Sequence, residues 1–163
     1  MPPLAAAQIA RRSGSGVIWL LDTNILSEAA RPLPDPWVEK ALDASEGRIA
    51  VPAPALQELQ FGYLRMAEGT SRQRVERFLK GAVALLPILP FDAAAARQQA
   101  VLRFDAERRG RPFSYPDSQI AAIALVHDLT LVTRNLRDFH DRPGLRCVNW
   151  FDSSAQPANQ SPE

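Results

Sequence analysis

The chain has 163 residues, of which 46% are hydrophobic and 23% charged, a composition typical of a single globular domain. Its formal net charge of +1 gives no overall attraction to nucleic acid, although only Lys40 and Lys80 among the 19 basic residues are lysines. One cysteine excludes an internal disulfide framework, and no apolar run approaches the ~20 residues of a membrane span. We therefore expect a cytoplasmic protein without membrane contact.

The first predicted element, at residues 17–21, is a wholly apolar run, which is typical of a strand covered on both faces. In chain order the pattern predicts a strand at 17–21, a helix at 23–30, a helix after Pro36, a strand at 48–51, a helix from Pro54 and a helix from Ser71. We expect the helix after Pro36 to place Trp37, Ala41 and Leu42 on one face.

The second half of the chain continues the alternation of strands and helices. It predicts a strand at 85–89, a long helix at 92–109 ended by Gly110, an apolar helix from Pro116 to about Val126, and strands at 130–133 and 146–148. This order predicts an α/β fold with a short, mainly parallel sheet between helical layers. We expect residues 1–16 to form a flexible extension, 17–152 the folded domain and 153–163 a disordered tail.

Acidic and amide side chains follow the predicted strands, where ligands bind in sheets of this kind. Asp22 comes directly after the first strand, and Asn135 and Asp138 come after the fourth. Glu58 lies inside the helix from Pro54, and Asp117 begins the apolar helix. Each has an ordinary alternative, since Asp22 and Asp117 suit helix caps and Glu58 suits a solvated surface.

Taken together, these side chains predict a metal site. Carboxylates that converge repel one another unless a cation neutralises them, and Mg²⁺ or Mn²⁺ prefers oxygen ligands. Such an ion activates water and stabilises charge on a phosphodiester. Zinc is disfavoured because His127, His140 and Cys147 lack the spacing of a ligand set.

Four segments that contain these polar residues share the motifs of one known family. They are Leu20 to Glu28, Glu58 with Gly62, Pro116 to Ala122, and Leu131 to Phe139. In this order they resemble the VapC toxins, which are PIN-domain ribonucleases of toxin–antitoxin pairs, and in particular the FitB-like subset. The resemblance extends from Val17 to about Phe151, nearly all of the foldable chain.

The resemblance implies a Rossmann-like PIN fold with three α/β/α layers and Mg²⁺- or Mn²⁺-dependent endoribonuclease activity. It also implies a homodimer neutralised by a cognate antitoxin, with operator DNA contacted only through that antitoxin. By position, Asp22, Glu58 and Asp117 match the family's three principal acidic residues. Asp22 and Asp117 would hold the metal, and Glu58 would orient or deprotonate the attacking water or help to bind a second ion.

One position departs from the family pattern. The fourth acidic residue commonly follows Thr-Arg, and here that place is taken by Asn135. An amide supplies an oxygen but no charge, so Asp138 is expected to take over part of the role. Thr133 and Asn24 are expected to orient a carboxylate by hydrogen bonding. The candidate arginines for RNA phosphates are Arg134, Arg72, Arg74 and Arg77.

Other functions fit the sequence less well. A dehalogenase-type phosphatase needs an acid where Asn24 stands, a phosphoacceptor domain needs a lysine after a late strand, and a dinucleotide enzyme needs a glycine-rich turn. The main alternative is a PIN protein with little or no nuclease activity that acts as an antitoxin-bound dimeric regulator on operator DNA. A helix face around Ile25 and Leu26, with the third and fourth helices, is the predicted antitoxin groove.

Overall fold

A computed structural model of the chain describes residues 16–155. Residues 1–15 of the predicted extension and 156–163 of the predicted tail lie outside the described residues, and Ser153–Ala155 form a short 3₁₀ turn. The strands are β1 (Trp19–Leu21), β2 (Ile49–Pro52), β3 (Ile88–Leu89), β4 (Thr130–Val132) and β5 (Cys147–Val148). The helices are α1 (Thr23–Ala29), α2 (Pro36–Ala44), α3 (Ala53–Leu64), α4 (Thr70–Lys80), α5 (Ala93–Arg108), α6 (Tyr115–Val126) and α7 (Leu136–Phe139).

The five described strands form one sheet in the order β3-β2-β1-β4-β5, and every pair is parallel. The central strand β1 places Leu20 beside Ala50 of β2 and Leu131 of β4. All three residues of β1 are buried. Because successive strand side chains point to opposite faces, helices must cover both sides of the sheet. This arrangement confirms the predicted three-layer α/β/α fold.

Helix α6 fixes the position of Asp117 because it lies in the core. Its residues 120–124 are all 0–1% exposed, as expected of a helix that is apolar on every side. The core extends beneath it to an edge-to-face pair formed by Trp19 and Trp150, whose ring centroids are 5.6 Å apart. No helix within residues 16–155 is long and apolar enough to cross a membrane.

Two predicted elements differ from the structure in their details. The strand predicted at 85–89 is confined to β3, because residues 83–85 form a 3₁₀ turn that buries Val83 and leaves Leu85 86% exposed. In α2 the predicted face is shifted, since Val38 and Ala41 are buried whereas Trp37 is 41% exposed. An apolar run and an apolar face locate an element, but packing partners decide which of its residues are buried.

The segment after β4, for which the sequence predicted no helix, forms the short helix α7. Helix α7 is stabilised by Phe139, which is only 2% exposed and packs edge-on against Phe113 with a centroid distance of 5.8 Å. This contact holds α7 close to the segment that leads into α6. As a result, the residues after β4 and the beginning of α6 border the same side of the molecule.

Candidate active site

The structure places five of the predicted site residues around one open cavity of about 600 Å³, together with the candidate Arg134: Asp22, Asn24, Glu58, Asp117 and Asn135. The cavity lies at the carboxyl edge of the sheet, since Asp22 directly follows β1 and its backbone N–H donates to the carbonyl of Val132 at 3.0 Å. Parallel α/β sheets bind ligands at this edge.

Asp22 is the most buried of these carboxylates, with 5% of its surface exposed. Its Oδ1 accepts the backbone N–H of Thr23 at 2.7 Å, so the residue does cap α1. Its Oδ2 accepts the hydroxyl of Thr133 at 2.7 Å and the amide of Asn24 at 3.1 Å. The capping alternative is therefore true but incomplete, because the second oxygen belongs to a polar network at the cavity.

The pKa of Asp22 is raised, chiefly because burial removes the carboxylate from water. The hydrogen bonds from Thr133 and Thr23 oppose this shift, and the negative charges of Asp117 and Glu58 add to it. The repulsion shows that the three carboxylates are close enough to influence one another. A cation placed among them would relieve both the repulsion and the cost of burial.

Thr133 is the centre of the network that orients Asp22. Its buried hydroxyl donates to Asp22 and accepts the amide of Asn24 at 3.3 Å and the backbone N–H of Asn135 at 3.1 Å. The other end of the Asn24 amide accepts the backbone N–H of Arg134 at 3.1 Å. Residues that follow β1 and β4 are thus tied together around one carboxylate, as the sequence predicted for Asn24 and Thr133.

Glu58 reaches the cavity from α3. Its Oε2 accepts the hydroxyl of Thr23 at 2.6 Å, which places the carboxylate beside the loop that contains Asp22. Ala55 and Gly62 are small residues about one helical turn before and after Glu58. Ala55 is fully buried, but a Cβ on Gly62 would meet nothing within 4 Å, so Gly62 opens a groove instead of allowing a close approach.

Asp117 lies in the first turn of α6, where the helix dipole favours an anion. The hydroxyl of Ser114 caps the helix by accepting the backbone N–H of Asp117 at 3.2 Å, and it donates to Asp117 Oδ2 at 2.5 Å. The sequence interpretation overlooked Ser114. A serine three residues before an acidic residue at a helix start is the signal that would have found it.

Asn135 and Asp138 do not share one position in the structure. Asn135 borders the cavity with Asp22, whereas Asp138 lies on α7, is exposed and borders a neighbouring groove together with Asp117. That Asp138 takes over part of the role of the acid missing at position 135 therefore stays a prediction.

Two further residues at the cavity were missed as site residues. Glu28 is 6% exposed, and its carboxylate accepts the backbone N–H of Asp35 at 2.8 Å and pairs with Arg31 at 3.1 Å. The Arg31 side chain is 62% exposed and borders the cavity as well. Glu28 belonged to the first motif, and its i,i+3 spacing to Arg31 is the signal that would have indicated this pair.

The donor chemistry of the cavity fits a hard cation. Within residues 16–155, Asp22, Glu58 and Asp117 form no ion pair with a basic side chain. No three Asp, Glu, His or Cys side chains in this part of the chain are placed to hold a metal ion by themselves. Mg²⁺ suits a site of this kind, because it keeps several waters and commonly takes only one or two carboxylates from the protein.

Comparison with known proteins defines the class to which this fold and site belong. The PIN domain family matches residues 19–145, and the chain is a member of that family. Over 132 residues it is 30% identical to the tRNA(fMet)-specific endonuclease VapC of Shigella flexneri, covering 81% of this chain and 97% of the relative. It is also 33% identical to the toxin FitB of Neisseria gonorrhoeae, covering 74% and 89%.

A solved structure supports the same assignment. VapBC2 from Rickettsia felis, bound to a DNA fragment from its promoter, contains a chain that superposes with a TM-score of 0.73 at 29% identity. The match covers 82% of this chain and 98% of that chain. The resemblance inferred from the four sequence motifs is confirmed.

Proposed function

We propose that the chain is a Mg²⁺- or Mn²⁺-dependent endoribonuclease that acts as the toxin of a toxin–antitoxin pair. The observation that supports this most strongly is the group formed by Asp22, Glu58 and Asp117, which border one open cavity without a basic partner among the described residues. The relatives named as VapC and FitB support the choice of RNA hydrolysis and of a toxin role.

Asp22 and Asp117 are the residues that would hold the ion, directly or through water. When bound, the ion would supply an activated water and neutralise the charge that builds on a phosphate oxygen. Thr133 and Asn24 hold Asp22 in one orientation by bonding its Oδ2. Ser114 does the same for Asp117 through Oδ2.

The remaining residues act on water and on the RNA strand. Glu58, positioned by the hydroxyl of Thr23, accepts a proton from the attacking water. Asn135 offers an amide oxygen without charge, and Asp138, which borders the neighbouring groove together with Asp117, would take over part of the role of an acid at that position. Arg31 and Arg134 border the same cavity, and they would contact the phosphate that is cleaved.

We further propose an antitoxin partner, a homodimer, and contact with operator DNA only through the antitoxin. A mainly apolar groove of about 370 Å³ lies between α1, α3 and α4, lined by Leu59, Tyr63, Met66 and Val75, and it also reaches Glu58. The prediction that Ile25 and Leu26 line this groove is wrong. Both are 0–1% exposed because they face the core, so the opposite side of α1 borders the groove.

Mg²⁺ is expected to raise the melting temperature of the protein by about 2–8 °C at neutral pH when present in large excess over its Kd. The raised pKa of Asp22 means that, without metal, the folded state loses stability as the pH rises from the unfolded pKa through the folded pKa. Bound cation offsets this loss, and its effect fades as the pH falls and Asp22 takes up a proton.

Differential scanning fluorimetry with Mg²⁺ or chelator across about pH 4 to 8 measures this effect. The Asp22→Asn variant is the control and is expected to show almost no response. Asn135→Asp is expected to enlarge the response, because it adds a further negative charge at the cavity. Equal shifts in the wild type and in Asp22→Asn would show that the ion binds elsewhere.

Expression of the chain without antitoxin is expected to arrest bacterial growth, and Asp117→Asn is expected to abolish the arrest. The rival function is an antitoxin-bound dimeric regulator with little nuclease activity. It is favoured by the presence of the amide Asn135 at a position where the family commonly has an acid. Colony counts after induction, with immunoblots to equalise expression, separate the two. Arrest that is equally strong in Asp117→Asn would contradict the nuclease.

A further inference from the structure

A second groove begins at Asp117. It consists of two adjoining cavities of about 630 and 530 Å³ that share Arg111, His140 and Arg142. Ser114, Asp117 and Asp138 border the first cavity, and Arg109 and Asp141 border the second. We call this surface the arginine groove and define it by Arg109, Arg111, Phe113, Arg137, His140 and Arg142. It is continuous with the candidate active site because Asp117 borders both.

Arg142 is held rigidly in the arginine groove. Its guanidinium lies 4.0 Å from the ring centroid of Phe113, and Phe113 in turn packs edge-on against Phe139. Its two terminal nitrogens make only long hydrogen bonds, 3.4 Å each, to the backbone carbonyls of Arg111 and Asp138. Among residues 16–155 it has no carboxylate partner. A stacked, pre-ordered guanidinium loses little freedom when it binds an anion.

The positive charges of Arg111 and Arg109 act against that of Arg142, and the negative charges of Asp105 and Asp138 partly offset them. The pKa of Arg142 is lowered, first by burial and then by the positive charges of Arg111 and Arg109. Arg111 pairs with Asp141 at 2.9 Å, but the side chains are 66% and 50% exposed, so this pair is weak and open to exchange. An anion between the guanidinium groups would replace repulsion with charge-assisted hydrogen bonds.

We propose that the arginine groove binds backbone phosphates of the RNA strand next to the phosphate cleaved at Asp117. The proposal rests on the nuclease function above, which supplies the RNA. Arginine forks match phosphate oxygens, and the groove leads a strand directly to the catalytic carboxylates.

The arginines of α4 that the sequence suggested are less suitable for this role. Arg72 is half-buried, because it bonds the carbonyl of Met66 and stacks on Tyr63 at 4.9 Å. Arg74 borders the apolar groove beside α3. The arginine groove, which the sequence interpretation missed, joins residues from the α5–α6 loop, α7 and the segment after it. Their proximity depends on the Phe113–Phe139 contact, which spacing alone does not reveal.

The test measures binding of a short, fluorescently labelled single-stranded RNA of mixed sequence to the full chain in chelator, by anisotropy over a salt series. Arg111→Gln/Arg142→Gln is compared with Arg65→Gln/Arg97→Gln, which removes the same charge from exposed positions at the end of α3 and on α5. The groove variant is expected to bind roughly 10- to 100-fold more weakly. Its salt slope is expected to fall by about 1.4, or ~0.7 for each lost phosphate contact.

Several outcomes would overturn the proposal. They are unchanged RNA binding in the groove variant, an equal loss in the control variant, or a change from dimer to monomer by light scattering, which would make the groove a protein interface. If the double variant misfolds, Arg111→Gln alone is tested, since its exposed ion pair is dispensable for folding. Groove-dependent binding without any cleavage by the wild type would refute the nuclease and not the groove. RNA cleavage that is unchanged in the groove variant would refute the groove and not the nuclease.

Discussion

Asn in place of Asp22 is expected to slow metal-dependent RNA cleavage at least about a hundredfold. Asp22 is the only one of the three site carboxylates that is fully buried, and it has the largest number of orienting hydrogen bonds. The amide keeps the size of the side chain but removes the charge that would hold the cation. It also turns a hydrogen-bond donor toward Asn24, which itself donates to this position.

Single-turnover cleavage at saturating Mg²⁺ measures this loss. Asp43→Asn, the same chemical change at an exposed position on α2, is the matched control and is expected to leave the rate unchanged. Circular dichroism and melting curves establish that both variants are folded. A folded Asp22→Asn variant that retains wild-type cleavage would show that the cavity is not where the reaction occurs.

Thr133→Val is expected to lower the free energy of unfolding by about 1–3 kcal/mol and to slow cleavage about 10- to 100-fold. Valine has nearly the same shape, so the loss is specific to the hydroxyl. Without it, Asp22 loses a donor, while Asn24 and the backbone N–H of Asn135 lose their acceptor in a buried site. Thr133 is a positioning residue, and its effect on cleavage arises through Asp22.

Urea denaturation and the Kd for Mg²⁺ distinguish this role from simple packing. Thr130→Val is the matched control on the same strand, since its hydroxyl accepts only a long bond of 3.4 Å from Arg146. We expect the control to cost less than about 0.5 kcal/mol and Thr133→Ser to restore Mg²⁺ binding. Equal costs in both valine variants, with an unchanged Mg²⁺ affinity, would argue against the network.

Much of the fold was predictable because short apolar strands and amphipathic helices alternate so regularly. The apolar run before Asp22 predicted a strand buried on both faces. Because the carboxyl ends of parallel strands lie at the same edge of the sheet, Asp22 and Thr133 were expected to lie close together. Local chemistry was less visible where it depends on packing. Helix α7 forms because Phe139 reaches Phe113, a contact between residues far apart in the sequence.

The candidate site was only partly predictable for the same reason. Motifs indicated Asp22, Glu58 and Asp117, because each motif is a local run of residues that can be read from the sequence. Ser114 and Arg31 each lie three residues from an acidic partner and were therefore visible in the sequence, whereas the long separation from Arg111 to Arg142 hid the arginine groove. The net charge of +1 did not predict the arginine groove, because it sums the charges of the whole chain and does not show where arginines cluster on the surface.

The most direct measurement is cleavage of total RNA by the purified chain with Mg²⁺, with Mn²⁺ and with chelator, alongside Asp117→Asn. We expect discrete products that require the metal and disappear in the variant, and mapping of their ends would then identify the RNA target. The absence of cleavage by a folded, antitoxin-free protein in either metal would contradict the nuclease function. Cleavage that persists in chelator or in Asp117→Asn would contradict the assignment of the site.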